Sequence, residues 1–125
     1  MIDRASVQTW LDKYIEAWRT YDRQQIADLF AENAVYHHDP FDEGDQGREA
    51  IIANWLENPD KPGSWKAEYH PLAVEGNTAV VNGQTHYFND DGSLRQMFAN
   101  LFVIRFDDAG KCVEFTEWYM TPQRG

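Results

Sequence analysis

Between residues 4 and 20, apolar side chains return every three or four positions. Val7, Trp10, Leu11, Tyr14, Ile15 and Trp18 fall on one stripe of an amphipathic helix. Asp22 stands three residues before Gln25, a capping arrangement that opens a short second helix carrying Ile26, Leu29 and Phe30. Ala34 to Asp39 reads as a short strand stopped by Pro40, and FDEGDQG after it as a polar loop. A third helix covers Arg48 to Glu57, with Ile51, Ile52, Trp55 and Leu56 as its apolar positions, and Asn58-Pro59 ends it.

After that the period falls from 3.6 to 2. Strands are expected over 65–75, 78–88, 94–107 and 111–121. Their connections, Glu75-Gly76-Asn77, Asn89-Asp90-Asp91-Gly92 and Asp107-Asp108-Ala109-Gly110, have hairpin chemistry. Helices first and an antiparallel meander afterwards give the α+β class, with the helices on one face of the sheet. The strands exceed the usual length of about five or six residues, and long twisted strands curl. A curled sheet closed by helices is a cup.

Length and composition add to this picture in four ways. At 125 residues the chain is expected to form one domain over 1–125. Aromatics reach 14%, more ring surface than a small core needs, and large rings leave gaps that a ligand fills. The net charge of -10 repels phosphate backbones and anionic membranes, so neither nucleic acid nor a membrane is expected as a partner. The lone Cys112 fits a reducing compartment, and no apolar run or basic leader interrupts the pattern, so the expected location is cytoplasmic.

Candidate chemistry follows from the alternation. In 94–107 the set Gln96, Phe98, Asn100, Phe102, Ile104 and Phe106 is expected to face inward, because Arg95 and Arg105 bracket the other set. In the final strand Val113, Phe115, Glu117 and Tyr119 are expected inward, with Cys112 and Trp118 opposite. In 78–88 the even positions Val80, Asn82, Gln84, His86 and Phe88 are taken as the inward face. Asn100, Gln84, His86 and Glu117 would then be polar groups among rings, which is the setting of a general acid–base pair centred on Glu117 and His86. The alternative is a satisfied polar network that fixes strand register.

Tyr36-His37-His38-Asp39-Pro40 is the densest cluster of titratable groups. Neighbouring strand residues face opposite ways, so either His37 with Asp39 or His38 turns inward. No H-x-x-x-H or H-x-H spacing is present, and neither a metal nor a cofactor is expected. Tyr14 and Trp18 on the first helix and Trp55 on the third complete the expected lining. A buried Tyr14 hydroxyl needs a partner and suits a substrate oxygen.

The stretches YIEAWRTYDRQQIADLFAENAVYHHDP, GREAIIANW and NLFVIRFDDAGKCVEFTEWY together resemble the nuclear transport factor 2-like superfamily, particularly its SnoaL-like branch. The resemblance covers residues 7–121. It implies a cone-shaped α+β barrel, three N-terminal helices on a strongly curved antiparallel sheet. It also implies a homodimer through the outer sheet face and a small hydrophobic or aromatic ligand in the cone. Function varies widely among such proteins, from isomerases, dehydratases, cyclases and epoxide hydrolases to non-catalytic binding modules.

Against the superfamily's steroid isomerases, the oxyanion-donor tyrosine falls on Tyr14 and the general-base aspartate on Asp39, while the second oxyanion donor falls on Phe102. Against its epoxide hydrolases, the charged set falls on His86, Gln84 and Glu117, without the arginine. Neither set is complete. The expectation is therefore a cofactor-free acid–base enzyme of isomerase, dehydratase or cyclase type, with Glu117, His86, Asp39 and Tyr14 catalytic. Trp18, Tyr36, His38, Trp55, Gln84, Asn100, Phe102 and Tyr119 would contact a largely apolar carbonyl or hydroxylated compound. A non-catalytic ligand- or protein-binding module of the same fold is the alternative.

Overall fold

A computed structural model describes residues 2–122. Three helices pack on one face of a six-stranded, mostly antiparallel curved sheet. The helices are α1 (Arg4–Thr20), α2 (Arg23–Ala27) and α3 (Arg48–Glu57). The strands are β1 (Phe30–His37), β2 (Asp45–Gln46), β3 (Trp65–Glu75), β4 (Thr78–Phe88), β5 (Leu94–Phe106) and β6 (Cys112–Met120), in sheet order β2-β1-β6-β5-β4-β3.

Local chemistry sets the helix ends. Asp3 and Ser6 form a reciprocal capping box at the start of α1. The helix stops where Tyr21 takes a left-handed conformation (φ 53°) and donates its N–H to the Ala17 carbonyl. Asp22 caps α2 as its spacing suggests, accepting from the Gln25 N–H. Phe30, expected on the second helix, instead opens β1, because α2 ends after Ala27. Asp45–Gln46, expected in a loop, pairs with β1.

The core lies between helices and sheet. Val7, Leu11, Ile26, Leu29, Ile51 and Ile52 from the helical layer meet Phe30, Phe102, Ile104 and Phe115 from the strands, all at most 1% exposed. Burying such side chains stabilises the fold by about 1.5–3 kcal/mol each. The β5 phase agrees with its alternation: Asn100, Phe102, Ile104 and Phe106 are buried.

The β4 phase does not. Its buried residues are Ala79, Val81 and Thr85, so the odd positions face the helices and Gln84 and His86 face out. A bulge at Arg95 is the cause. Phe88 pairs with Leu94 but Tyr87 pairs with Gln96, so β5 spends one extra residue there. Without it Asn82 would oppose Asn100; with it Gly83 does. A slip of one residue turns every side chain of the strand over. A second bulge has a smaller effect on β6. Arg105 pairs with Glu114 but Phe106 with Cys112, so Cys112 turns inward and is fully buried instead of facing out.

Candidate functional site

The helical layer and the concave sheet face enclose a cavity of about 430 Å³. Its base is aromatic. The rings of Tyr14 of α1 and Tyr36 of β1 each lie near-parallel to that of Phe115, at 5.7 and 4.4 Å, and the Trp55 ring stands edge-on to Tyr14 at 5.2 Å. This packing aims the phenols at each other, and their hydroxyls lie 2.8 Å apart. Two O–H groups share one mutual bond, so one proton remains to donate into the cavity. Burial, and then the negative charge of neighbouring groups, holds both phenols well above the ordinary tyrosine range. They are donors, not bases.

Glu117 on β6 supplies the carboxylate. Its Oε2 accepts from Asn100 Nδ2 at 2.7 Å, and among the described residues no hydrogen bond reaches its Oε1. Burial pushes the carboxyl above the ordinary glutamate range, while the Asn100 N–H and the charge of His38 pull it partly back. Asn100 is in turn held by Thr85, whose hydroxyl donates to Asn100 Oδ1 at 2.8 Å, and Thr85 by Tyr69. Tyr87 and Phe98 stand edge-on to each other nearer the mouth, as do Phe98 and Tyr119.

The mouth is built around the end of α1. Trp18 stacks on Trp65 at 3.6 Å and donates its Nε1–H to Asp60 Oδ2 at 2.9 Å. Tyr21, left-handed at the end of α1, accepts the Asp60 N–H at its hydroxyl at 2.8 Å.

β1 alternation resolves the histidine pair. Tyr36 and His38 line the cavity; His37 does not. His38 Nε2 lies 2.9 Å from Asp45 Oδ2 and its ring 4.9 Å from that of Tyr36. His37 sits between the Asp42 carbonyl (2.8 Å) and Glu114 Oε2 (3.1 Å). Burial works against its charge, but the two acceptors outweigh it and raise the imidazole above its ordinary range.

Tyr14, Trp18, Tyr36, His38, Trp55, Asn100, Phe102, Glu117 and Tyr119, all singled out from the sequence, lie on one cavity wall or another. Gln84 and His86 do not, since the Arg95 bulge turns them to the outer face. Asp39 is also absent from the lining. Its carboxylate accepts from the Phe41 N–H at 2.8 Å and shapes the turn after β1. Tyr69, Thr85 and Tyr87 line the cavity and were missed with the β3 and β4 faces; Tyr21 and Asn58 cap the ends of α1 and α3, and Asn54 shares the face of α3 that carries Ile51 and Trp55. Among the described residues no three His, Cys, Asp or Glu side chains converge as a metal site would require.

The SnoaL-like domain model matches residues 11–115, nearly all of the elements that build this cavity. The chain belongs to the SnoaL-like family. Solved structures with the same fold include a proposed ketosteroid isomerase from Kribbella flavida, at 19% identity and a TM-score of 0.71, covering 98% of this chain and 84% of that one. A proposed polyketide cyclase from Sinorhizobium meliloti is 22% identical, with a TM-score of 0.66 and coverage of 90% and 98%. An NTF2-like protein of unknown function from Burkholderia xenovorans is 17% identical, with a TM-score of 0.71 and coverage of 97% and 88%. At these identities the likeness is one of fold. No curated protein matches the sequence.

Within this SnoaL-like chain, the steroid-isomerase positions divide. Tyr14 is in the cavity, Asp39 is in a turn, and Phe102 is 1% exposed at the cavity wall with no polar group to offer. No helix among the described residues is long and apolar enough to cross a membrane.

Proposed function

We propose that this SnoaL-like domain is a cofactor-free acid–base enzyme whose general base is Glu117 and whose oxyanion donors are the paired phenols of Tyr14 and Tyr36. The observation that carries the reading is the placement of one desolvated carboxylate, with Oε1 free of hydrogen bonds from the described residues, in the same aromatic cavity as a phenol pair that has one proton to spare. Glu117 takes a proton from carbon beside a substrate carbonyl, and the carbonyl oxygen, now negative, is held by the phenol O–H. Returning the proton to a different carbon isomerises the substrate. Expelling a β-hydroxyl as water dehydrates it, and attack on a second carbonyl closes a ring.

The substrate we infer is small, neutral and largely apolar, with a carbonyl or hydroxyl oxygen. An anion would meet Glu117, and among the described residues no Lys or Arg lines the cavity to compensate it. The relatives proposed as a ketosteroid isomerase and a polyketide cyclase support the reaction class.

The test is turnover of a panel of enolisable ketones and hydroxyketones. The double variant Tyr14→Phe with Tyr36→Phe is expected to lose about 10²–10³-fold in kcat with its circular dichroism unchanged. Equal turnover in the double variant overturns the oxyanion assignment. Recovery of every bound compound unchanged favours the binding-module reading.

We also propose a homodimer through the outer sheet face, where Leu101 pairs with Trp118 and Ala99 with Met120, and where Trp118 and Met120 are 41% and 64% exposed. Leu101→Glu is then expected to halve the mass measured by light scattering. A wild-type protein already monomeric by that measurement removes the proposal.

A further inference from the structure

The hydrogen bonds behind Glu117 run in one direction. Asn100 Nδ2 is 2.7 Å from Glu117 Oε2, which as a carboxylate only accepts, so the amide must present its N–H₂ there and its Oδ1 to the other side. On that side Thr85 Oγ1 lies at 2.8 Å and must donate, because an amide oxygen has no proton to give. Thr85 has a single hydroxyl proton, now used. Tyr69 therefore donates its O–H to Thr85 Oγ1. Tyr69, Thr85 and Asn100 are all buried, at 3%, 2% and 7% exposure, so water does not compete for these bonds. The chain crosses β3, β4, β5 and β6 and ends on the carboxylate.

We propose that Thr85, backed by Tyr69, is a positioning residue: it locks the Asn100 amide so that an N–H faces Glu117, keeping the carboxylate ionised and its Oε1 turned to the cavity. The inference rests on Glu117 being the working carboxylate of the proposed reaction, but its mechanism is local. With the Thr85 hydroxyl present, a flipped amide would set Asn100 Oδ1 against a carboxylate oxygen and strand the Thr85 proton against an N–H₂. Without the hydroxyl, nothing on the far side selects the amide orientation, and the N–H donated to Glu117 is no longer guaranteed. Burial then acts on the carboxyl with less opposition.

The other titratable groups facing Glu117 are Tyr14 from α1, Tyr36 and His38 from β1, Tyr69 from β3 and Tyr87 from β4. The tyrosines stay neutral across the acidic and neutral range because burial raises each of them. His38 is the remaining charged group that acts on Glu117, and it is common to all the variants compared.

The experiment is a pH titration of the Glu117 side-chain carboxyl by ¹³C NMR in the ligand-free protein, comparing wild type with Thr85→Val, Thr85→Ser and Tyr69→Phe. Val keeps the shape of Thr and removes the proton. Its Glu117 midpoint is expected to move to higher pH by about half a pH unit or more, as expected for weakening a charge-assisted hydrogen bond. Ser, which keeps the hydroxyl, should titrate like wild type, and Tyr69→Phe should move in the same direction as Val by less. A Glu117 midpoint unchanged in both Val and Phe variants overturns the proposal, as does a Ser variant that moves as far as Val, which would indicate packing rather than the proton. Should Thr85→Val fail to fold, Tyr69→Phe against wild type decides alone. Because no substrate is present, a failed reaction assignment leaves this result readable, and a failed relay leaves the turnover of the phenol variants readable.

Discussion

Glu117→Gln is expected to abolish turnover while raising the melting temperature. The first half follows from the role of the carboxylate: removing a positioned general base lowers kcat by about 10²–10⁴-fold. The second follows from its surroundings. Burial raises the folded-state pKa of Glu117 above its ordinary value, so between those two values the folded protein holds a proton that the unfolded chain has released. Stability therefore falls as pH rises through that window, and at neutral pH the folded state bears a partly desolvated charge. A glutamine is neutral at every pH and its amide oxygen still accepts from Asn100. A gain on the order of 3 °C in Tm near pH 7, shrinking as the wild type is taken to acid, is the expected signature. Thermal melts of both proteins over a pH series check it. A variant that is inactive and also less stable at neutral pH would show that the carboxylate is held by attraction rather than by function.

The second large effect concerns a residue that touches no substrate. Gly83→Ala is expected to destabilise the protein by about 3 kcal/mol or more, lowering Tm on the order of 10 °C. A Cβ at Gly83 would lie 2.0 Å from the Glu68 carbonyl oxygen, 2.6 Å from Tyr69 Cδ1 and 2.8 Å from Tyr69 Cα. Two of these are backbone atoms, so no side-chain rotation relieves the clash and β3 must move away from β4. Gly83 pairs with Tyr69 on one side and with Asn100 on the other, so the strain falls between the members of the polar chain behind Glu117. Calorimetry measures the loss. A Tm within about 2 °C of wild type would mean that β3 shifts without resistance, contrary to the close packing of the sheet.

The stripes of α1 and α3 and the limits of β3 to β6 were legible because each carries its own signal, period 3.6 ended by Asn58-Pro59 and then period 2 between Gly-containing turns; the end of α2 and the bounds of β1 and β2 were not. The inward face of β5 was legible because its arginines and aromatics separate along the strand, and β6 was read correctly at Phe115 and Glu117 but not at Cys112. What hid β4 was not its composition but its register. Val80 and Val81 serve either face equally, and the choice between them is made by one extra residue at Arg95, which local patterning does not reveal. β3 is a different case. Trp65, Ala67, Tyr69 and Pro71 alternate with Lys66, Glu68, His70 and Leu72, a signal strong enough to have placed Tyr69 in the cavity. Asp39 looked catalytic because the resemblance to the steroid isomerases puts their general base there, yet its carboxylate is used by the turn itself.

The pairing of β1 with β6 has a consequence for how the site comes into being. It is a parallel pairing that joins Tyr36 to Phe115 across most of the sequence, whereas β3 to β6 are joined as neighbours through short hairpins. Contacts of long sequence separation form late, since loop closure must precede any gain from them. The hairpin strands can assemble Tyr69, Thr85, Asn100 and Glu117 among themselves, but the phenol of Tyr36 reaches them only when β1 docks on β6. The carboxylate half of the site is thus built as local topology, and the oxyanion half arrives with the closing contact of the fold.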